Sequence, residues 1–293
     1  MLDFVGREKT LYRIMDKCVM CPKKCGVNRN EGYNGLCGAT DKMFVASICI
    51  HKYEEPPISA SRGSGAIFFS HCTLSCIYCQ NYPISQFGNG NGISVEDLVD
   101  VMIDFQGKGV HNINFVTPTH YSAQIVRAVL SARKKGLKLP IIYNCSGYEE
   151  IETLKLLEGI VDIYLPDIKY SNNKMAYKYS GITNYVEINQ EALREMNRQV
   201  GILKVDDNGL AQKGLLVRHL VLPGSIENTK KVLEFISREL SEDTFVSLMS
   251  QYQPAYKSSN FKELSHSLEE EEYEEAVNYL KLLNLKNGWI QNL

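Results

Sequence analysis

Residues 66–81 read AIFFSHCTLSCIYCQN, in which a short apolar run leads into three cysteines spaced Cys72-x3-Cys76-x2-Cys79. Three thiolates this close together can bind three irons of a [4Fe–4S] cluster and leave the fourth iron without a protein ligand. Structural zinc sites normally take four protein ligands, so an open iron indicates a place where a substrate or cosubstrate binds. The spacing favours chemistry at this segment. Zinc with a distant fourth ligand, or simply buried thiols, are the structural alternatives.

The 293-residue chain has an ordinary globular composition, with 44 % hydrophobic residues, 23 % charged residues and a net charge of −2. This charge gives no electrostatic reason to expect nucleic acid or an anionic membrane as a partner. The first residues lack the apolar core of a signal peptide, and the longest apolar stretches are too short to span a bilayer. We therefore expect a cytoplasmic protein, in which nine cysteines are more typical of metal ligands than of disulfides.

Short apolar runs alternate with longer amphipathic segments from about Gly65 onward, and this alternation predicts strands that are each followed by a helix. Few charges lie inside the apolar runs, which indicates a parallel sheet buried on both faces. Six such units are too few for an eight-unit barrel, so we predict an α/β fold built as an open, partial (β/α)6 barrel. Functional groups should then collect at the carboxyl ends of the strands. The predicted strands cover residues 66–70, 112–116, 140–143, 161–165, 215–222 and 244–249.

Residues 1–62 do not share this alternation, and they carry a second group of cysteines: Cys18, Cys21, Cys25 and Cys37. We predict a small, loop-rich N-terminal module over residues 1–62 and a barrel domain over residues 63–293. Such a module is more readily stabilised by a bound metal than by a hydrophobic core. Four thiolates fit either zinc or an auxiliary iron–sulfur cluster, and we favour a metal with a structural role.

The cysteine triplet, together with the aromatic Tyr78 before its last cysteine, resembles the signature of the radical S-adenosylmethionine (radical SAM) enzymes. The resemblance implies that Cys72, Cys76 and Cys79 hold a [4Fe–4S] cluster whose open iron chelates the amine and carboxylate of SAM. One electron then breaks the sulfur–C5′ bond of SAM and yields a 5′-deoxyadenosyl radical, which abstracts hydrogen from a substrate. The cofactors carry this chemistry, while the protein orients them and excludes water.

Two further segments are similar to the branch of pyruvate formate-lyase-activating enzymes. Asp167-Ile168-Lys169 follows the fourth predicted strand, and its acid and amine would contact the methionine portion of SAM. Arg218 begins an Arg-x4-Pro-Gly pattern in the fifth strand and could pair with a carboxylate. In the same way the resemblance implies that Asn144 and Ser146 contact the ribose of SAM.

The resemblance assigns Tyr78 to the adenine of SAM but fails after the second strand. The Gly-Gly-Glu segment expected there is replaced by the sequence TPTHY, residues 117–121. Thr117 and Thr119 could supply oxygens in its place. The lone Cys49 and Cys145 are more typical of small buried residues than of ligands.

The best-supported function is a radical SAM oxidoreductase that activates a glycyl-radical enzyme, with a reductant such as flavodoxin or ferredoxin. Modification of a peptide or a small metabolite by the same radical is an alternative. A third hypothesis is a non-catalytic iron–sulfur or zinc protein that acts as a scaffold or electron carrier. The open cysteine triplet and the polar strand ends argue against this third hypothesis.

Overall fold

The computed structural model describes residues 3–291, and its strands form one ten-stranded sheet. No helix in this range has both the length and the apolar character needed to cross a membrane. The strands are β1 (Met43–His51), β2 (Ser64–Phe69), β3 (Asn91–Ile93), β4 (Ile113–Val116), β5 (Ile141–Cys145), β6 (Ile163–Pro166), β7 (Lys204–Val205), β8 (Ala211–Leu220), β9 (Phe245–Met249) and β10 (Gly288–Ile290). The helices are α1 (Phe4–Ile14), α2 (Pro56–Ser59), α3 (Tyr82–Ser85), α4 (Val95–Gly107), α5 (Ser122–Lys134), α6 (Ile151–Leu157), α7 (Asn173–Ser180), α8 (Tyr185–Val200), α9 (Ile226–Phe235) and α10 (Glu270–Leu282).

The strand order across the sheet is β10-β9-β8-β6-β5-β4-β2-β1-β3, and β7 pairs with β8 beside this path. The six consecutive neighbours β2, β4, β5, β6, β8 and β9 run parallel to one another. They correspond to the six strands predicted from the sequence. The predicted α/β fold with a partial barrel of parallel strands is therefore confirmed.

The two faces of the parallel strands bury different sets of side chains. The outer face packs against the helices and contributes aromatic residues such as Phe115 and Tyr143 to the main core. The inner face encloses a second apolar cluster, which includes Ile142, Leu165 and Leu216. Because side chains alternate along a strand, the residues two positions further on share this inner face. The polar residues at the carboxyl ends of β5, β6 and β8 therefore lie next to this inner apolar cluster.

The segment before residue 62 takes part in the same sheet and core. Strand β1 pairs antiparallel with β2, and β3 pairs with the other edge of β1. Helix α1 packs beside α5 and α6, and Leu11, Met15 and Met20 are buried in the main core. The apolar run at residues 44–50 gave no expectation of β1, because only the four-residue helix α2 follows it and no longer amphipathic segment completes a strand–helix unit. The division at residue 62 stays a prediction.

Two local structures have a direct cause in the sequence. Ser94 caps α4 through a reciprocal pair in which Asp97 N donates to Ser94 Oγ (3.0 Å) and Ser94 N donates to Asp97 Oδ2 (2.9 Å). The turn at Asp207-Asn208-Gly209 connects β7 to β8 as an antiparallel hairpin. Gly209 has a φ of +76° there, a conformation that glycine adopts without a steric penalty.

Candidate active site

One pocket at the carboxyl ends of the parallel strands collects most of the predicted site residues. The loop after β2 brings the three cysteines of the triplet over this edge of the sheet. The pocket is lined by Cys72, Cys76, Cys79, Tyr78, Thr117, Asn144, Ser146, Asp167, Lys169 and Arg218, among others. Residues from four separate strand ends and from the cysteine loop therefore meet, although they are distant in the sequence.

Thr119 is the predicted cofactor-binding residue that the structure does not bring to this pocket. Its side chain is buried, and Thr119 Oγ1 donates to Glu149 Oε1 at 2.7 Å. Tyr143 OH also donates to Glu149, at 3.2 Å. Tyr143 belongs to the core between the strands and the helices. The hydrogen bond from Thr119 therefore lies in that core and not in the pocket.

Each thiol of the triplet has a hydrogen-bonding group beside its sulfur. Ser180 Oγ lies 3.0 Å from Cys76 Sγ, Ser85 Oγ lies 3.2 Å from Cys79 Sγ, and Leu74 N donates to Cys72 Sγ at 3.4 Å. Donors to sulfur stabilise a thiolate ligand and tune the cluster that it holds. Sequence analysis missed both serines, because no motif marks them.

The hydroxyl beside Cys76 belongs to a chain of buried hydroxyls. Tyr170 OH lies 2.6 Å from Ser180 Oγ and 2.8 Å from Tyr78 OH. Tyr78 is thereby linked to the sulfur of Cys76 through two intervening side chains. Tyr170 lies three residues after Asp167, so the Asp-x-Lys segment also supplies this link.

The three thiols fit a cluster better than a single metal ion. Among residues 3–291, no three cysteine, histidine or acidic side chains, those of the N-terminal cysteine group included, are grouped closely enough to hold one ion. Thiolates around one zinc lie about 3.8 Å apart, since each zinc–sulfur bond is about 2.3 Å, whereas the thiolates of a cubane bind separate irons. Burial raises the pKa of Cys72 to about 12, with Cys76 adding to the effect. The free thiol of Cys72 therefore keeps its proton at neutral pH, and metal binding must displace that proton.

Asp167 sits between two cations inside the pocket. Arg218 Nε donates to Asp167 Oδ1 at 2.9 Å, and Lys169 Nζ donates to Asp167 Oδ2 at 2.6 Å. Each of these side chains is less than one fifth exposed. Burial alone would raise the pKa of Asp167, but Arg218 and Lys169 outweigh it and hold the pKa below its usual value. The site therefore presents a fixed carboxylate and two fixed cations side by side.

Arg218 also reaches two further polar groups. Its Nη2 donates to Asn144 Oδ1 at 2.6 Å, and its Nη1 lies 3.6 Å from Glu54 Oε2. Glu54 accepts from Asn114 Nδ2 at 3.0 Å, and burial raises the pKa of its carboxyl. Sequence analysis missed Glu54 because it follows β1, an unpredicted antiparallel strand. Because β1 runs antiparallel to β2, its carboxyl end lies beside the amino-terminal ends of the parallel strands. Glu54 therefore approaches Arg218 from the amino-terminal side of the barrel.

Three histidines near strand ends contact backbone or helix groups. His120 Nε2 lies 2.8 Å from the carbonyl of Ser70, and burial lowers the pKa of His120 to about 3. His219 lies between the carbonyl of Ile168 and the hydroxyl of Thr229, at 2.6 and 2.9 Å. Because Thr229 is on α9, this ring faces the helix layer. The ring of His71 packs against Gly38 and Gly88, since a Cβ on either glycine would lie 2.5 Å from it.

The four N-terminal cysteines also gather in one place. A Cβ on Gly35 would lie 3.2 Å from Cys37 Sγ and 3.7 Å from Cys25 Sγ, so both sulfurs face that glycine. Burial raises the pKa of Cys21 to about 12, and the neighbouring Cys37 and Cys18 add to the shift. The main chain brings the first and third cysteines together, since Gly26 N donates to the carbonyl of Cys18 at 3.0 Å.

The chain belongs to the radical SAM superfamily, whose family model matches residues 66–236. This range begins in β2 and ends after α9, and it contains the whole cysteine triplet. Membership implies iron–sulfur chemistry with a [4Fe–4S] cluster and SAM.

Two proteins of Methanocaldococcus jannaschii are similar over most of the chain. Uncharacterized protein MJ0674 is 29 % identical over 282 residues, which cover 93 % of this chain and 76 % of that protein. Uncharacterized protein MJ0808 is 25 % identical over 273 residues, covering 86 % and 76 %.

Solved structures share the fold at low sequence identity. Native anSMEcpe with bound AdoMet and Cp18Cys peptide has a TM-score of 0.50 and 12 % identity, covering 74 % of this chain and 60 % of that chain. Streptococcus suis SuiB bound to precursor peptide SuiA has a TM-score of 0.49 and 12 % identity, covering 72 % and 43 %. The chain thus spans less than two thirds of these solved chains, and at this identity the likeness shows the fold alone.

Proposed function

We propose that this chain is a radical SAM enzyme whose active site is the pocket at the cysteine triplet. The observation that carries the proposal is the meeting of three thiols with the Asp167, Lys169 and Arg218 group in one pocket. When bound there, a [4Fe–4S] cluster would supply the electron that cleaves SAM to methionine and a 5′-deoxyadenosyl radical. Cys72, Cys76 and Cys79 would hold the cluster by three corners.

The other pocket residues would position SAM. Its methionine end carries an ammonium and a carboxylate, which can be met by the Asp167 carboxylate and the Lys169 ammonium, respectively. Asn144 and Ser146 end the neighbouring strand and would hydrogen-bond the ribose hydroxyls. Tyr78 would lie against the adenine, and Thr117 would supply one polar contact of the absent Gly-Gly-Glu segment.

Activation of a glycyl-radical enzyme is the substrate assignment that we propose first. It is supported by the Asp-x-Lys and Arg-x4-Pro-Gly segments, which in this fold meet through the Arg218–Asp167 pair. Modification of a peptide or metabolite is the alternative. Two of the solved structures that share the fold contain a bound peptide, but at their low identity the likeness extends only to the fold.

The electron donor and compartment belong to the same proposal. A low-potential donor such as flavodoxin or ferredoxin would reduce the cluster from the pocket side. All nine cysteines are free thiols, and a reducing cytoplasm keeps thiols in that state.

We also propose a second metal centre, zinc or iron–sulfur, at Cys18, Cys21, Cys25 and Cys37. Its support is the convergence of four thiols that are separated by up to 19 residues in the sequence. Zinc would fold the segment, whereas a cluster would also relay electrons.

The test of the main proposal is release of 5′-deoxyadenosine. Anaerobically reconstituted protein is mixed with dithionite and SAM, and products are measured by chromatography and mass spectrometry. We expect product from the wild type and from Cys49→Ala, whose cysteine lies on β1 outside the pocket, and none from Cys76→Ala. Absence of product from wild-type protein with a cluster shown by absorption and iron content would overturn the enzymatic proposal in favour of a scaffold or electron carrier.

The substrate assignment has a separate test. Candidate glycyl-radical enzymes are incubated with the reduced protein and SAM, and electron paramagnetic resonance is recorded on the partner. A stable glycyl radical would support activation. A mass change in a peptide or metabolite without that signal would favour the alternative.

A further inference from the structure

Arg29 is a cation buried inside the cysteine-rich segment with no carboxylate to balance it. Its side chain is fully buried, and its Nε and Nη2 both donate to the carbonyl of Thr40, at 3.1 and 2.6 Å. Its guanidinium carbon lies 5.9 Å from the centre of the Tyr121 ring. In residues 3–291, no acidic oxygen lies within 4.0 Å of its nitrogens, although this chain forms many such pairs elsewhere.

A buried and unpaired charge is costly. Removing an ion from water costs several kcal/mol even after relaxation, and neutral acceptors repay only part of this. A carbonyl and an aromatic ring supply partial negative charge but no counter-ion. A negative group near Arg29 that is not a carboxylate would therefore stabilise the folded protein.

The sulfur of Cys18 is the nearest candidate. Arg29 Nη1 lies 3.9 Å from Cys18 Sγ, and both residues are buried. Arg29 also lies close enough to Cys37 for its charge to act on that thiol. These two cysteines belong to the group of four, so the guanidinium faces that group from within the protein.

We propose that Cys18, Cys21, Cys25 and Cys37 form a metal centre with net negative charge and that Arg29 is its buried counter-ion. Four thiolates around Zn²⁺, or around a [4Fe–4S] cluster with a core charge of +2, leave a formal charge of about −2. Either source supplies the anion that Arg29 lacks, although a single Zn²⁺ would require the four sulfurs to lie closer together than they do in this structure. The inference rests on the proposed second metal centre and adds its charge and the residue that compensates it.

The same centre abuts the loop of the cysteine triplet. A Cβ on Gly38, the residue after Cys37, would lie 2.5 Å from His71 Nδ1, and His71 precedes Cys72. On another side, Thr153 Oγ1 donates to the carbonyl of Met20 at 3.0 Å. The N-terminal centre is thus packed against the barrel and can support the loop that carries the triplet.

The test begins with a full-length variant in which Cys72, Cys76 and Cys79 are all changed to Ala. This variant keeps the N-terminal cysteines only, so its metal content does not depend on SAM chemistry. We expect about one zinc or about four irons per chain by elemental analysis, and the element found distinguishes the two sources. Protein that binds neither metal after reconstitution with Zn²⁺ or with iron and sulfide would overturn the proposal. The 5′-deoxyadenosine assay on unaltered protein would still test the main proposal independently.

The role of Arg29 is tested in the same background by competition for the metal with a chelator. We expect Arg29→Met to weaken metal retention at least about tenfold, as loss of a residue that supports metal ligands typically does. Arg29→Lys keeps the charge and should recover most of that loss. Unchanged retention in Arg29→Met, or an equal loss in Arg29→Lys, would show that charge compensation is not the role of Arg29.

A second measurement covers the possibility that Arg29→Met folds poorly. Thermal unfolding is compared with and without metal for the parent and for Arg29→Met. A counter-ion predicts that the substitution lowers the melting temperature of metal-bound protein more than that of metal-free protein, because both forms lose the hydrogen bonds to Thr40 but only the metal-bound form loses a charge pair. Equal destabilisation of both forms would make Arg29 a packing residue and overturn the inference.

Discussion

The two cysteine groups of this chain differ in their number of thiols and in the charges around them. The triplet faces a pocket with one carboxylate and two cations, and its sulfurs have hydroxyl or amide groups as neighbours. The N-terminal group has four thiols and a single buried cation, Arg29, whose nitrogens lie near Cys18. Three thiols beside one carboxylate and two cations suit a cluster that must also bind a zwitterion such as the methionine end of SAM. Four thiols beside one cation suit a centre that is complete in itself.

The largest expected effect comes from removing the charge between the two cations of the triplet pocket. Asp167→Asn leaves Lys169 and Arg218 adjacent and uncompensated. We expect a loss of about 2–4 kcal/mol in the free energy of unfolding and loss of measurable SAM binding. Urea unfolding and calorimetric titration of SAM measure the two effects, with Asp207→Asn in the exposed β7–β8 turn as the control. Normal SAM affinity in Asp167→Asn would show that the triplet pocket does not use mixed charge as proposed.

A second prediction concerns Glu149, which lies between the cysteine triplet and the N-terminal cysteine group. Burial raises its pKa from 4.5 to about 8, while hydrogen bonds from Thr119, Tyr143 and Cys145 oppose the shift. Cys145 borders the triplet pocket, and the charge of Glu149 is felt at Cys21 in the N-terminal group. In the folded state this carboxyl is therefore protonated at pH values where the unfolded chain has lost the proton.

Stability should consequently fall as pH rises from about 5 through about 8, since the unfolded chain binds fewer protons than the folded one in this range. Glu149→Gln removes this dependence. Between pH 5 and pH 8, its free energy of unfolding should therefore rise by about 2–3 kcal/mol relative to that of the wild type. Melting temperatures measured at pH 5 and pH 8 give the comparison, and Glu152→Gln on the exposed side of α6 serves as the control. A pH profile that is parallel in Glu149→Gln and wild type would contradict the raised pKa.

A third prediction addresses the contact between the two regions. Gly38 has a φ of +91°, and a Cβ there would press on His71 at 2.5 Å. Gly32 has a similar φ of +83° but has nothing within 4 Å of a built Cβ. Both Ala substitutions carry the cost of a left-handed backbone, roughly 1 kcal/mol, so their difference isolates the contact with His71.

We expect Gly38→Ala to destabilise the protein by about 1–2 kcal/mol more than Gly32→Ala. It should also lower the iron content bound by the triplet, because His71 precedes Cys72. Urea unfolding and iron analysis measure these effects. Equal behaviour of the two variants would mean that the N-terminal region and the triplet loop are mechanically independent.

The sequence predicted the parallel strands well because each carries an uninterrupted apolar run followed by a helical pattern. The resemblance to radical SAM enzymes pointed to the strand-end residues Asn144, Asp167 and Arg218, and parallel strands bring such residues together because their carboxyl ends lie on one side of the sheet. The antiparallel strand β1 lacked such a pattern, so Glu54, which follows it, was missed. The burial of Arg29 could not be predicted either, because an arginine in a loop is normally exposed and only the packing shows that this one is buried.

The same limit applies to the hydroxyl beside Cys76. Ser180 ends α7 and is 104 residues from Cys76 in the sequence. No local pattern links residues at that separation. Its position depends on how α7 packs over the pocket, which is a property of the whole barrel. Long-range polar contacts of this kind are what the structure adds to the motif.

The smallest expected effect is on the reduction potential of the triplet cluster and sharpens the contrast between the two groups. Ser180→Ala removes the hydroxyl 3.0 Å from Cys76 Sγ. Because hydrogen bonds to sulfur favour the more negative, reduced cluster, its loss should lower the potential by roughly 30–60 mV. Tyr170→Phe keeps that hydroxyl and removes only its other partner, so a smaller shift is expected. Both are measured by redox titration followed with electron paramagnetic resonance. If the N-terminal centre contains iron, its signal should not move in either variant, and a shared shift would show that the two centres are not electrostatically separate.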